Sequence, residues 1–202
     1  MQVLPQLLDR GYALCGTWDV DRAARLRSRV HANESIEGDP DLLAFIADDR
    51  VSALRDPLID VYATTVTVQL VPPGRRGHDW HRDPLSMARI RVIAYENFGR
   101  PKCGTTSMTG GPGCKLTPRT KGEPGCLVFA LALDDFSTKS GATQLIPTDE
   151  GTEEQAVSLE MPAGSMAAFA GSHIRHRSGF NASTSARAGV FVGFYGHWKG
   201  TP

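Results

Sequence analysis

Two short stretches of the chain concentrate side chains that can bind a metal. The first is HDWHRDP at 78–84. His81 and Asp83 stand two residues apart there, and on an extended backbone residues i and i+2 project from one face. An imidazole nitrogen and a carboxylate oxygen then converge on one cation. A His-x-Asp pair also arises by chance, and it describes a solvated surface pair equally well. The second stretch, AGSHIRHRSGFNASTSARAGVFVGFY at 170–195, holds His176, which lies 95 residues beyond His81. A rolled or closed sheet can bring such distant segments together. Two histidines and one carboxylate suit Fe(II), and they leave part of an octahedron open to small molecules.

The residues after His176 add to this. Arg187 follows 11 residues later, at the start of a strand-like run. A buried arginine fork grips the far carboxylate of a dicarboxylic acid through two parallel hydrogen bonds. Taken alone, Arg187 also reads as a solvated strand end. His78 and His173 are rival ligands, but His78 lacks the two-residue relation to Asp83 and His173 lacks the downstream arginine spacing. His31 and His197 read as packing or surface histidines.

These side chains need elements to position them. Asp21 to Ala32 carries Ala23, Leu26 and Val30 at helical spacing. Asp39-Pro40 reads as an N-cap with proline at the first helical position, opening a helix through Leu42, Leu43 and Ile46 that stops before Pro57. From about residue 62 the pattern changes to strands. TTVTVQLV at 64–71 is closed by Pro72-Pro73-Gly74. Further candidates are Ala88–Tyr95, Cys126–Leu133, Ala142–Ile146, Ala156–Glu160, Ser165–Ala170 and Ala188–Tyr195. Many short strands with frequent turns predict a β-sandwich or barrel packed on the N-terminal helices. The Gly- and Pro-rich stretch 99–125 reads as a long loop, either a lid or a surface insertion.

Bulk properties narrow the function classes. The chain has 202 residues with 41% hydrophobic and 22% charged content, which is ordinary for one soluble domain. Acidic and basic residues balance at 22 each, so no global field draws in nucleic acid or an anionic membrane. No apolar run spans a bilayer, and Pro5, Asp9 and Arg10 interrupt the start, arguing against a signal peptide. Cys15, Cys103, Cys114 and Cys126 form no CxxC pair and read as reduced thiols of a cytoplasmic protein; a disulfide within 103–126 stays open.

Three segments, in order, resemble the phytanoyl-CoA dioxygenase family of Fe(II)/2-oxoglutarate oxygenases. They are PPGRRGHDWHRD, LALDDFSTKSGATQLIP at 131–147 and PAGSMAAFAGSHIRHRSGFNASTSARAGVFVGFY, within about residues 62–196. The resemblance implies a mainly β fold with flanking helices and a double-stranded β-helix (jelly-roll, cupin-like) core. It implies a single domain over 1–202, with a helical N-terminal part at 1–60 and the jelly-roll at 62–196. His81, Asp83 and His176 would be the catalytic iron ligands. Arg187 and Thr143 would bind 2-oxoglutarate, and Gln69 would replace a glutamine that relatives carry just before the first ligand. Thr143 and Gln69 also read as ordinary strand residues. The implied activity is oxidation, by default hydroxylation, of a small-molecule substrate by O2 and 2-oxoglutarate, with release of succinate and CO2. A secondary-metabolite substrate fits so compact a chain. Asp83 argues against halogenation, since the family's halogenases have a small residue at that position. Ile146-Pro147-Thr148 departs from the family's Ile-Pro-Gly-Ser-His, and the N-terminal part is short, which predicts a small or open pocket. A cupin-like metalloenzyme without 2-oxoglutarate and a non-catalytic ligand-binding jelly-roll are the alternatives.

Overall fold

The structure, a computed structural model, describes residues 3–83, 121–147 and 151–200. The strand expected at Ala88–Tyr95, and most of the 99–125 loop with Cys103 and Cys114, lie outside these residues. Four helices lie in the N-terminal part, the first separated from the others by a strand: α1 (Val3–Arg10), α2 (Val20–His31), α3 (Pro40–Ile46) and α4 (Asp49–Arg55). Eight strands are described: β1 (Tyr12–Thr17), β2 (Ile59–Val71), β3 (Pro124–Ala132), β4 (Thr143–Ile146), β5 (Val157–Ser158), β6 (Ser165–Phe169), β7 (Arg175–Ser178) and β8 (Arg187–Trp198).

The helices begin where short acidic side chains can cap them. Asp19 accepts from the N–H groups of Asp21 and Arg22 at 3.1 and 3.0 Å. Asp39 accepts from Asp41 N–H at 2.8 Å, with Pro40 following it. Each such cap stabilises its helix by about 1 kcal/mol. The single helix expected from Pro40 towards Pro57 is in fact two. Asp48 accepts from Arg50 N–H at 2.9 Å and starts a new helix. The cap competes with helix continuation through Ala47 and wins.

The strands form two antiparallel sheets, with orders β1-β6-β3-β8-β2 and β5-β4-β7. The alternation along β3 shows how they are layered. Leu127, Phe129 and Leu131 pack on the helices, while Cys126, Val128, Ala130 and Ala132 pack between the sheets with Leu145, Phe169 and Ile174. Both faces of β3 are covered, so its sequence is an almost unbroken apolar run. This is a mainly β fold with flanking helices and a jelly-roll, cupin-like core.

Two strands lie where the sequence reading placed none. β1 lies inside the stretch read as helical, paired to β6 with a bulge between Leu14 and Gly16. Its pairing partner, which lies more than a hundred residues away in the chain, overrides the weak local pattern. β7 is RHRS, with no β-branched residue to signal it. It is a strand because it pairs with β4 and alternates: His176 and Ser178 are buried, Arg175 and Arg177 half-buried. The expected strand Ala156–Glu160 shrinks to Val157–Ser158, while β2 and β8 run longer than expected. No described helix is long and apolar enough to cross a membrane.

Candidate functional site

The metal-binding candidates meet at β7, an edge strand of the small sheet. His81 and His176 face each other in an isolated antiparallel bridge, with reciprocal N–H···O bonds of 3.0 and 2.9 Å. The bridge sets the two imidazoles 4.3 Å apart, centroid to centroid. Each ring has its Nδ1 against a backbone carbonyl: Asp79 O at 2.7 Å for His81 and Ile174 O at 3.0 Å for His176. A carbonyl only accepts, so each Nδ1 carries the proton and each Nε2 keeps a free lone pair. That is the tautomer a metal ligand needs.

Asp83 lies beyond the bridge, its N–H bonded to Gly171 O at 2.9 Å. Its Oδ2 is 3.8 Å from His176 Nε2. One ligand atom from each of His81, Asp83 and His176 lies within 4.8 Å of the other two. The structure brings these three together, and they form the one group among the described residues with the donors for a metal ion. Burial lowers the pKa of His176 to about 4, against the pull of Asp83 and with a further push from His81. His176 is therefore neutral near pH 7, as a metal ligand must be. The two nitrogen donors and one carboxylate fit Fe(II), and nothing in their geometry demands a closed tetrahedral site.

Arg187 opens β8 and is 1% exposed. Its Nη2 donates to Gln69 Oε1 at 2.7 Å, while its Nε and Nη1 are buried with no partner. The guanidinium carbon stands 4.3 Å from the centroid of the Phe136 ring, which fixes the plane of the fork. Burial lowers its pKa to about 10, offset in part by the charge of Asp134, so it stays a cation at neutral pH. A buried cation with two idle donors is costly unless an anion completes it.

Gln69 Oε1 also accepts from Ser178 Oγ at 2.6 Å. Arginine can only donate, so the amide oxygen must face Arg187. Ser178 shares a face of β7 with His176 and pairs with Thr143 on β4. Thr143 Oγ1 is buried and unpartnered too. Hydrogen bonds and strand pairing thus connect Arg187, Gln69, Ser178 and Thr143, with Ser178 two residues from His176 on the same face of β7.

The rival histidines have other partners. His173 Nδ1 is 2.8 Å from Ser172 Oγ, and its ring packs on Trp198. His78 packs on His81 at 5.7 Å without joining the cluster. His31 pairs with Asp134 at 2.7 Å, and His197 packs on Tyr62. Three contributors were not singled out in the sequence: Ser178, Phe136 and Gly171. Reading RHRS as a strand would have found Ser178 by the same two-residue rule that links His81 and Asp83. Gly171 is bare because an ideal Cβ there would lie 2.0 Å from Asp83 Oδ2.

No protein-family model matches the chain. No curated protein sequence matches it either. Solved structures do. EvdO2 from Micromonospora carbonacea var. aurantiaca is 14% identical over 99% of this chain and 92% of its own, with a TM-score of 0.62, and its structure is also known complexed with 2-oxoglutarate. A prolyl-4-hydroxylase from Pseudomonas putida is 13% identical over 99% of this chain and 92% of its own, with a TM-score of 0.61. SnoK, a non-heme alpha ketoglutarate dependent carbocyclase from nogalamycin biosynthesis, is 13% identical over 96% of this chain and 83% of its own, with a TM-score of 0.59. At these identities the likeness is one of fold: the chain is built on the jelly-roll architecture that these proteins share.

Proposed function

We propose that this chain is a non-haem Fe(II)/2-oxoglutarate-dependent oxygenase of the phytanoyl-CoA dioxygenase type, folded as a single domain. It oxidises a small-molecule metabolite, by default by hydroxylation, with release of succinate and CO2. The carrying observation is the combination of the His81, Asp83 and His176 cluster with Arg187, a buried cation holding two idle N–H donors. Structural neighbours that include a 2-oxoglutarate complex, a prolyl-4-hydroxylase and a carbocyclase from nogalamycin biosynthesis support the reading.

His81 and His176 would hold iron through Nε2 and Asp83 through its carboxylate. When bound, iron with 2-oxoglutarate and O2 supplies the oxidising chemistry. Arg187 would take the distal carboxylate of 2-oxoglutarate with Nε and Nη1, as a planar fork does. The Thr143 hydroxyl would donate to the same carboxylate. Gln69 acts on that end of the site through Arg187, because its oxygen already accepts from Nη2 and from Ser178. Phe136 packs on the guanidinium, and Arg187 and Thr143 are both buried, so these donors are largely shielded from bulk water.

The test is succinate release. Purified protein with Fe(II), O2 and 2-oxoglutarate forms succinate, slowly without substrate and faster with it, and Arg187→Ala abolishes the product. Activity insensitive to Arg187→Ala would favour a metalloenzyme that does not use 2-oxoglutarate.

A further inference from the structure

Of the three ligand candidates, Asp83 has the least support from regular structure. His81 and His176 are fixed by their bridge and by the contacts at Nδ1. The N–H bond to Gly171 O fixes only the backbone of Asp83. Its carboxylate meets the thiol of Cys126 instead, with Sγ 3.9 Å from Oδ2. Against an ionised carboxylate a thiol can only donate. Cys126 is fully buried on the inner face of β3.

Cys126 is itself held from behind. The register of the large sheet puts Cys126 opposite Tyr195 and Thr65 opposite Gly193. As direct cross-strand partners, Cys126 and Tyr195 share one face of the sheet, where both are buried. Gly193 makes room for this arrangement. An ideal Cβ there would lie 2.9 Å from Thr65 Oγ1, 3.0 Å from Tyr195 Cε2 and 3.5 Å from Cys126 Sγ. The three side chains therefore gather over a bare glycine, and Cys126 reaches from there to Asp83.

We propose that Cys126, oriented by Tyr195 and Thr65, is a positioning residue for Asp83: its thiol donates to Oδ2 and holds the carboxylate so that one oxygen ligates the metal. The inference rests on the His81, Asp83 and His176 reading of the metal site. Its consequence is chemical. A carboxylate that ligates through both oxygens occupies an extra coordination position, and open positions are what a chelating co-substrate and O2 require. Partners that orient a metal-ligating carboxylate affect metal binding nearly as much as the ligand itself.

The experiment is a Co(II) titration of the metal-free protein, following visible d–d absorption, whose intensity falls as coordination number rises. Cys126→Ala is expected to weaken Co(II) binding about 10–100-fold and to change the band intensity. Cys126→Ser keeps a donor and is expected to recover most of the affinity and the wild-type spectrum. Tyr195→Phe is expected to shift both readouts in the direction of Cys126→Ala, by less. Unchanged affinity and spectrum in Cys126→Ala overturn the proposal, and so does equal weakening in the Ala and Ser variants, which marks a packing effect. Should Cys126→Ala not fold, Tyr195→Phe decides: an unchanged affinity and spectrum overturn the proposal. Wild-type protein that binds no Co(II), or an Asp83→Ala variant that binds it as wild type does, overturns the metal-site reading itself. Normal wild-type binding with an unperturbed Cys126→Ala overturns the positioning role alone.

Discussion

Gly171→Ala adds one methyl group at the position where the Asp83 carboxylate rests. The added Cβ would lie 2.0 Å from Asp83 Oδ2 and 2.7 Å from Val128 Cγ2. Real Cβ contacts do not fall below 3.0 Å, so Oδ2 must withdraw by about 1 Å. Residue 171 cannot move the other way, because Val128 is buried between the sheets. Metal–ligand distances tolerate about 0.2 Å. A displacement several times larger removes Asp83 as an effective ligand, and the expected loss of Fe(II) affinity is about 10–100-fold, or roughly 1.4–2.8 kcal/mol. Overpacking costs a further 1–3 kcal/mol or so of fold stability, read separately as a lower melting temperature of the metal-free protein. The assay is an anaerobic Fe(II) titration against a competing chelator. A double variant with Asp83→Ala should bind no more weakly than Asp83→Ala alone, since the methyl then has no ligand to displace. Fe(II) affinity in Gly171→Ala within twofold of wild type, or additive losses in the double variant, would refute the reasoning.

Three further outcomes follow from the same geometry. Arg187→Met should leave Fe(II) affinity unchanged and raise KM for 2-oxoglutarate by at least about 30-fold, the loss of one charge-assisted fork at roughly 2 kcal/mol or more. It should not lower the melting temperature of the ligand-free protein, since it removes an incompletely paired buried charge, and 2-oxoglutarate should raise that temperature in wild type only. Thr143→Val should keep or raise stability, because Oγ1 has no partner to lose, while KM for 2-oxoglutarate rises about 3–10-fold. Asp134 ties α2 to the start of β8: burial raises its pKa, but hydrogen bonds from His31, the Ala188 N–H and Arg27 outweigh burial and hold it below the usual carboxylate range. Its folded pKa being depressed, its contribution is present above pH about 4 and is lost as pH falls through the folded value. Asp134→Asn should therefore melt lower than wild type at pH 7, with the gap closing under acid; a gap that widens below pH 4 would contradict this.

What the sequence could show followed the reach of local patterns. His81 and Asp83 are legible because a two-residue spacing carries the same meaning in any extended backbone. Arg187 is legible because it begins a long, largely apolar run at a fixed distance from His176. Gly171 and Cys126 are not, because each acquires its role only when β3 and the segment after β6 meet the loop that carries Asp83. β7 was hidden by its two arginines. Arg177 stacks on Trp80 at 4.3 Å and pairs with Glu153 at 3.0 Å, so its charge is accommodated at the sheet surface rather than excluded from it. β1 was hidden for the opposite reason: at the sheet edge, Leu14 is 48% exposed, and its alternation is too weak to read alone. The break between α3 and α4 turned on one capping aspartate, Asp48, within a stretch whose apolar spacing is helical throughout.

The most direct test of the central claim is the visible spectrum of the anaerobic protein with Fe(II) and 2-oxoglutarate together. A 2-oxoglutarate chelated to iron held by His81, Asp83 and His176 gives a metal-to-ligand charge-transfer band, lost in His176→Ala and weakened at fixed 2-oxoglutarate in Arg187→Met. Fe(II) bound at full occupancy with no such band at saturating 2-oxoglutarate would contradict it.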